Sequence, residues 1–265
     1  MIFGAYVISV FMAVLQTIVL AVLLVLSIKL IGKNERNLPS VHMAFCLTLW
    51  LLGNIYWLIY DLIRPESRMP FAANEIGEAA AFLMMAAIIN SVVISVAYPS
   101  AVYTVSAILF GIGNVALWIA WSGEWIQDIF IGTFYTWFLL SLVRALANEK
   151  TLHTWEWVLL CILCFALIAG QGYTFVIKTE YVRATETGVY VILFAGILLF
   201  VNRMIRLYKE NEKPQKLLFV AFALIAWVIT GKYMSDGTMY TVFMLLETMS
   251  LPVCFAAVRK VVMEQ

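Results

Sequence analysis

Long apolar segments alternate with short polar connections along the whole chain. A helix needs about 20 apolar residues to cross the hydrocarbon layer of a membrane. Backbone exposed to lipid must satisfy its own hydrogen bonds, so each such segment is expected to be an α-helix. The predicted spans are nine in number: 3–30, 41–63, 73–97, 101–122, 126–146, 155–177, 186–205, 217–234 and 238–258.

The third and fourth spans are separated by the short sequence Tyr98-Pro99-Ser100. The residue before a proline disfavours the helical conformation, so a turn is expected here. Without this turn the number of spans would be even, and the two termini would fall on the same side of the membrane.

Composition favours the same class of protein. Hydrophobic residues make up 64% of the 265 residues and charged residues only 12%, whereas soluble domains contain about 25% charged residues. The polar connections are too short to fold independently. We therefore expect an all-α, polytopic bundle in which residues 1–265 form a single integral membrane domain without a soluble domain.

Lysine and arginine are distributed unequally between the two ends of the predicted spans. With the N-terminus outside, twelve of the 17 fall on the inner side, five of them in the segment 203–216. Cytoplasmic connections carry an excess of these residues. The distribution predicts an external N-terminus, a cytoplasmic C-terminus and a multi-pass location in the cell membrane. The net charge of +1 gives no reason to expect a nucleic-acid partner.

Two glutamates stand at the start of the third span. Glu75 and Glu78 are almost one turn apart on one side of the helix. Gly77 and the neighbouring alanines would allow a second helix to approach closely. Carboxylates within spans are costly and often functional. The alternative is that both are negative charges at a helix N-terminus, favoured by the helix dipole and solvated by headgroups.

The second span carries a stripe of Trp50, Asn54, Trp57 and Asp61 on one helical face. Aromatic rings attract cations, and ligand pockets combine apolar walls with a few polar groups. The stripe is therefore a candidate binding surface. The alternative is a helix–helix interface in which Asn54 forms the hydrogen bonds and Asp61 pairs with a nearby surface arginine.

Glu247 lies near the middle of the last predicted span, and Pro252 five residues later predicts a kink beside it. Such a carboxyl group could exchange protons, bind a cation or form an interhelical hydrogen bond. Lys232 stands near the end of the eighth span. It could pair with one of these carboxylates or extend to the membrane interface.

No motif in the sequence indicates an enzyme, a metal site or a cofactor. The histidines number two, and their sequence neighbours include no set of metal ligands. Cys161 and Cys164 form a CxxC pair, but they lie within a span and are interpreted as small buried apolar residues.

The favoured function is a small transporter of a polar or cationic small molecule, coupled to protons or cations through Glu247. Its binding residues are predicted to be Glu247, Glu78, Glu75, Asp61, Asn54, Trp57 and Lys232. The expected partners are the lipid bilayer and a small-molecule ligand. The main alternative is a ligand-sensing receptor that signals through a cytoplasmic partner protein at residues 203–216. A lipid-modifying enzyme and a structural subunit are further alternatives.

Overall fold

The computed structural model describes residues 2–32, 38–63, 73–93, 101–123, 125–176 and 182–264. Within these ranges it contains nine α-helices and no strand. All nine are long and apolar enough to cross a membrane, which confirms the helical class and the number of candidate spans. The helices are α1 (Ile2–Ile31), α2 (Leu38–Ile63), α3 (Ala73–Val92), α4 (Ala101–Ser122), α5 (Trp125–Asn148), α6 (Thr154–Val176), α7 (Val182–Lys209), α8 (Pro214–Tyr233) and α9 (Gly237–Glu264).

Several helices are longer than the predicted spans. The seventh helix covers Val182–Lys209 instead of 186–205, and the ninth reaches Glu264 instead of residue 258. The sequence criterion counts apolar residues, whereas a helix continues through polar residues as long as its backbone hydrogen bonds are satisfied. The predicted turn Tyr98-Pro99-Ser100 lies outside the described residues.

Helix α8 is at the centre of the bundle. Every residue from Leu218 to Lys232 is buried, as expected for a helix that is apolar on all sides. Helix α8 contacts α3, α5, α7 and α9, while α2 packs against α1, α3 and α9. The second, third, eighth and ninth spans are therefore neighbours, which the hypothesis of a shared site requires.

The two ends of the bundle can be distinguished by the cavities they contain. The C-terminal ends of α4, α6 and α8 and the N-terminal end of α7 line one cavity. We call this side the α8–α9 end, because α8 turns into α9 there, and the opposite side the α7–α8 end. In the predicted orientation the α8–α9 end faces the outside of the cell.

Helices α2 and α3 approach each other closely at Gly77. A Cβ atom on this residue would lie 2.8 Å from the backbone oxygen of Leu49 and 3.1 Å from the Cα atom of Gly53. Both neighbours are backbone atoms that cannot rotate away. The glycine thus permits the contact that holds α3, with its glutamates, against α2.

Replacing Gly77 with alanine is expected to destabilise the protein by about 1–3 kcal/mol, because the added methyl group forces the two backbones apart. Gly188→Ala is the matched control, since its Cβ would meet nothing within 4 Å. Alanine is favoured over glycine in helices by about 1 kcal/mol, so this variant should be as stable as the wild type or slightly more so. Thermal unfolding in detergent measures both. Equal stability of the two variants would contradict the proposed contact.

Candidate functional site

A buried ion cluster joins three helices near the α8–α9 end. The ammonium group of Lys232 on α8 lies 2.8 Å from Oε1 of Glu78 on α3 and 2.9 Å from Oε1 of Glu247 on α9. Lys232 is 5% exposed and Glu247 is 0% exposed. Lys232 therefore points into the bundle and does not extend to the membrane interface.

Neutral donors complete the cluster. The Tyr233 hydroxyl donates to Oε2 of Glu78 at 2.7 Å, and the Gln16 amide of α1 donates to Oε2 of Glu247 at 3.0 Å. Each carboxylate thus has the ammonium group and a neutral donor as partners. With both carboxyl groups ionised, the cluster has two negative charges and one positive charge. A proton or a second cation would balance them.

The local sequence explains how Lys232 reaches both glutamates. Gly231 lies directly against the ring of Phe243, where a Cβ atom would overlap the aromatic carbons. Because Gly231 has no side chain, α9 can lie close to the end of α8. In α3, Glu78 lies just after the first turn, and Gly77 holds that turn against α2. Two glycines therefore position the helices that carry the two carboxylates.

Two other predicted site residues form hydrogen bonds to groups outside the ion cluster. The side chain of Glu75 is hydrogen-bonded to the Gln127 amide of α5. Asn54 donates to the backbone oxygen of Ala13 at 3.1 Å and to Oγ1 of Thr17 at 2.8 Å, joining α2 to α1. These are interhelical hydrogen bonds within the bundle.

Trp57, a further residue of the α2 stripe, makes an apolar contact. Trp57 packs against a small cluster formed by Met12, Ala13 and Met244. The side chain of Asp61 lies outside the described part of the structure. The residues of this stripe that the structure describes, Trp50, Asn54 and Trp57, are absent from the lining of both cavities described below.

A polar cavity of about 190 Å³ opens at the α8–α9 end. Its mouth carries the exposed residues Glu186 of α7 and Asp236 of the α8–α9 connection. Deeper walls are formed by Trp118, Tyr190 and Tyr233. A polar cavity thus lies at the predicted outer end, where the sequence also placed Asp236, whereas Glu186 was not among the residues considered from the sequence.

A larger, apolar cavity of about 400 Å³ lies towards the α7–α8 end, between α4, α5, α6, α7 and α8. Its polar lining groups are few and uncharged, and include the hydroxyls of Ser106, Tyr135 and Thr230. A third of its lining residues are aromatic. The rings come from Tyr103, Phe110, Tyr135, Trp157, Phe165, Phe200 and Trp227.

Three aromatic rings stand between the two cavities. Trp118 lines the polar cavity, and its ring centroid lies 5.6 Å from that of Tyr135, which lines the apolar cavity. The ring of Tyr233 lies 4.9 Å from Trp118 on the polar side. Tyr135 is anchored to α8 by hydrogen bonds to Thr230 and to the backbone oxygen of Ala226. We call Trp118, Tyr135 and Tyr233 the aromatic barrier.

Tyr233 connects this barrier to the ion cluster. Its ring contacts Trp118 and lines the polar cavity, while its hydroxyl donates to Glu78. A change at Glu78 can therefore reach the barrier through a single side chain. Sequence analysis did not identify these rings, because aromatic residues are frequent in apolar spans and no spacing marks them.

A second buried ion pair lies at the α7–α8 end. Nε of Arg203 lies 3.6 Å from Oε2 of Glu156 and donates to the backbone oxygen of Thr151 at 2.7 Å. Glu156 is 0% exposed and also accepts the His153 backbone N–H at 2.8 Å. In a capping box, a glutamate at the third position of a helix accepts the backbone N–H of the residue that precedes the helix. The sequence therefore contained a signal for the contact of Glu156 with His153, but none for its ion pair with Arg203.

Among the described residues, no group of three or more histidine, cysteine or acidic side chains is arranged to hold a metal ion. The candidate site consists of the ion cluster, the aromatic barrier and a cavity on each side of it. No protein-family profile, curated protein or solved structure matches the chain.

Proposed function

We propose that this protein is a transporter of a polar or cationic small molecule that alternates access between the two cavities. The observation that carries the proposal is the position of the aromatic barrier. It separates a polar cavity at one end of the bundle from an apolar cavity that extends towards the other end. Movement of Trp118 away from Tyr135 would join the two.

The ion cluster supplies the coupling. Tyr233 holds Glu78 through its hydroxyl, and Glu78 shares Lys232 with Glu247. A proton or cation that occupies one carboxylate weakens its ion pair with Lys232, which can then shift towards the other carboxylate. This shift moves the end of α8 relative to α3 and α9, and Tyr233 transmits it to the barrier. Occupancy of the cluster and opening of the barrier are thereby linked.

The test is uptake of labelled polar metabolites and organic cations by liposomes that contain the purified protein. Glu247→Gln is expected to lower the uptake rate about tenfold or more, because a hydrogen bond to a charged group contributes about 1.5–3 kcal/mol. Tyr233→Phe keeps the ring but removes the link to Glu78, so it should lower uptake as well. Glu210→Gln, at an exposed position at the α7–α8 end, is the control and should transport like the wild type.

Unfolding temperatures of all three variants separate transport defects from folding defects. Uptake that is unchanged in Glu247→Gln and in Tyr233→Phe, with correctly folded protein, would contradict the proposed coupling.

A receptor module is the second candidate, and the closed aromatic barrier favours it. The polar cavity opens at the α8–α9 end, while the contact between Trp118 and Tyr135 separates it from the apolar cavity. A receptor would bind its ligand there and signal through a cytoplasmic partner at the basic segment 203–216. Saturable binding without any uptake, together with a partner that binds this segment only when ligand is present, would support the receptor over the transporter.

A further inference from the structure

The polar cavity carries negative charge that its own walls do not balance. Glu186 and Asp236 stand at its mouth, and its described lining residues include neither lysine nor arginine. Lys232, the nearby base, already pairs with Glu78 and Glu247. Acidic groups at the mouth of a low-dielectric cavity attract and concentrate cations. The charge of the cavity therefore favours a cationic ligand.

The inner walls of the cavity offer aromatic faces in place of further carboxylates. Tyr190 lies within electrostatic range of both Glu186 and Asp236. Trp118 and Tyr233 form the adjoining wall, with ring centroids 4.9 Å apart. Aromatic faces attract cations, and they do so most effectively when the cation is organic and weakly hydrated.

The indole N–H of Trp118 adds a further requirement on the ligand. Trp118 is 6% exposed, and its buried indole N–H has no hydrogen-bond partner among the described residues. A buried donor without an acceptor is costly. Trp118 also lines the cavity, so a ligand whose acceptor oxygen reaches this N–H would satisfy it.

The apolar cavity beyond the barrier further restricts the charge and polarity of the ligand. Its described lining contains no charged residue, and its walls are mainly aromatic and aliphatic. A polyamine or an inorganic ion would lose its hydration there without compensation. A single charge carried on an apolar body would keep favourable contacts on both sides of the barrier.

We infer that the ligand is a monovalent organic ammonium ion with an apolar body and a hydrogen-bond acceptor, bound in the polar cavity between the two carboxylates and the aromatic walls. This inference rests on the proposed transport path, because the second cavity selects the apolar body. Binding and transport are nevertheless measured separately, so that each can fail alone.

The test is equilibrium dialysis of the detergent-solubilised protein against benzoylcholine, which combines a quaternary ammonium, an ester and a phenyl ring. Two comparison compounds isolate single features. The compound 3,3-dimethylbutyl benzoate has the same shape without the charge, and phenylpropyltrimethylammonium has the charge and the ring without the ester. Protein-free micelles measure partitioning into detergent.

We expect saturable binding of benzoylcholine, and no saturable binding of the neutral analogue. The double variant Glu186→Gln/Asp236→Asn should weaken binding about tenfold, because both charges at the mouth are removed. Both side chains are exposed, so the fold should be preserved. Glu210→Gln, at the opposite end, should bind like the wild type.

Trp118→Phe keeps an aromatic ring but removes the N–H group together with part of the ring surface. The lost surface should affect both cations alike, so benzoylcholine binding should weaken about fivefold more than phenylpropyltrimethylammonium binding, the usual contribution of one hydrogen bond. Equal binding of the charged and neutral compounds, or no effect of the double variant, would overturn the inferred ligand class. Binding of benzoylcholine without its uptake into liposomes would leave the ligand class standing and contradict transport.

Discussion

Replacing Lys232 with methionine is expected to destabilise the protein by about 3–5 kcal/mol, the cost of leaving a buried charge without its partner. Lys232 is the one cation within 4 Å of both Glu78 and Glu247 in the described structure. Methionine has a similar length and fills the space, so loss of packing contributes little. The two carboxylates would then face each other with only Tyr233 and Gln16 as donors. Thermal unfolding in detergent should show a Tm lower by about 10 °C.

A triple variant tests whether unbalanced charge causes the expected loss of stability in Lys232→Met. Lys232→Met combined with Glu78→Gln and Glu247→Gln removes the positive and both negative charges while keeping similar shapes. It should recover most of the lost stability, because buried ion pairs replaced as a unit are often close to neutral. Lys209→Met, at an exposed position on α7, controls for the substitution itself. Failure of the triple variant to recover would show that packing around Lys232, and not its charge, is decisive.

Replacing Arg203 with methionine is expected to have an effect of similar size at the opposite end of the bundle. Arg203 is 3% exposed and Glu156 is 0% exposed. One carboxylate oxygen of Glu156, Oε1, has no hydrogen-bond partner in the described part of the chain even in the wild type. Without the guanidinium group, the carboxylate would keep only the His153 backbone N–H. We expect destabilisation by about 3–5 kcal/mol in the same unfolding measurement.

The double variant Arg203→Met/Glu156→Gln should be more stable than Arg203→Met alone, since the buried negative charge is then absent. Arg206→Met provides the matched control, because Arg206 is exposed one turn further along α7. A large effect of this control would mean that an arginine-to-methionine substitution on α7 is destabilising by itself. No gain in the double variant would mean that Arg203 stabilises the protein through its hydrogen bond to Thr151. The ion pair with Glu156 would then be secondary.

The number and approximate positions of the helices follow from the sequence for a simple physical reason. A helix that crosses hydrocarbon must be apolar over a known length, and a chain with nine such segments reveals them without any knowledge of their packing. The ends of the helices are less predictable. Val182–Lys209 begins and ends with polar residues that hydropathy excludes, although they continue the helix.

Individual charges within apolar spans were also visible in the sequence. Glu78, Lys232 and Glu247 stand out because each is costly to bury, and the structure places these three together. Asn54 and Trp57 formed an equally regular pattern, yet they join α2 to α1 and to an apolar cluster. A helical face that is polar and aromatic looks the same in a sequence whether it meets a ligand or another helix.

Only the tertiary structure decided which residues lie around the cavities. Trp118, Tyr135 and Tyr233 come from three helices, and their contacts depend on how α4 and α5 approach α8. Glu186 and Asp236 meet at one cavity although they are distant in the sequence. The sequence by itself determined a helical membrane-type chain with costly internal charges, because hydrophobic length and burial cost are local properties. The barrier, the ion cluster and the two cavities arise from contacts between distant residues, which no local pattern encodes.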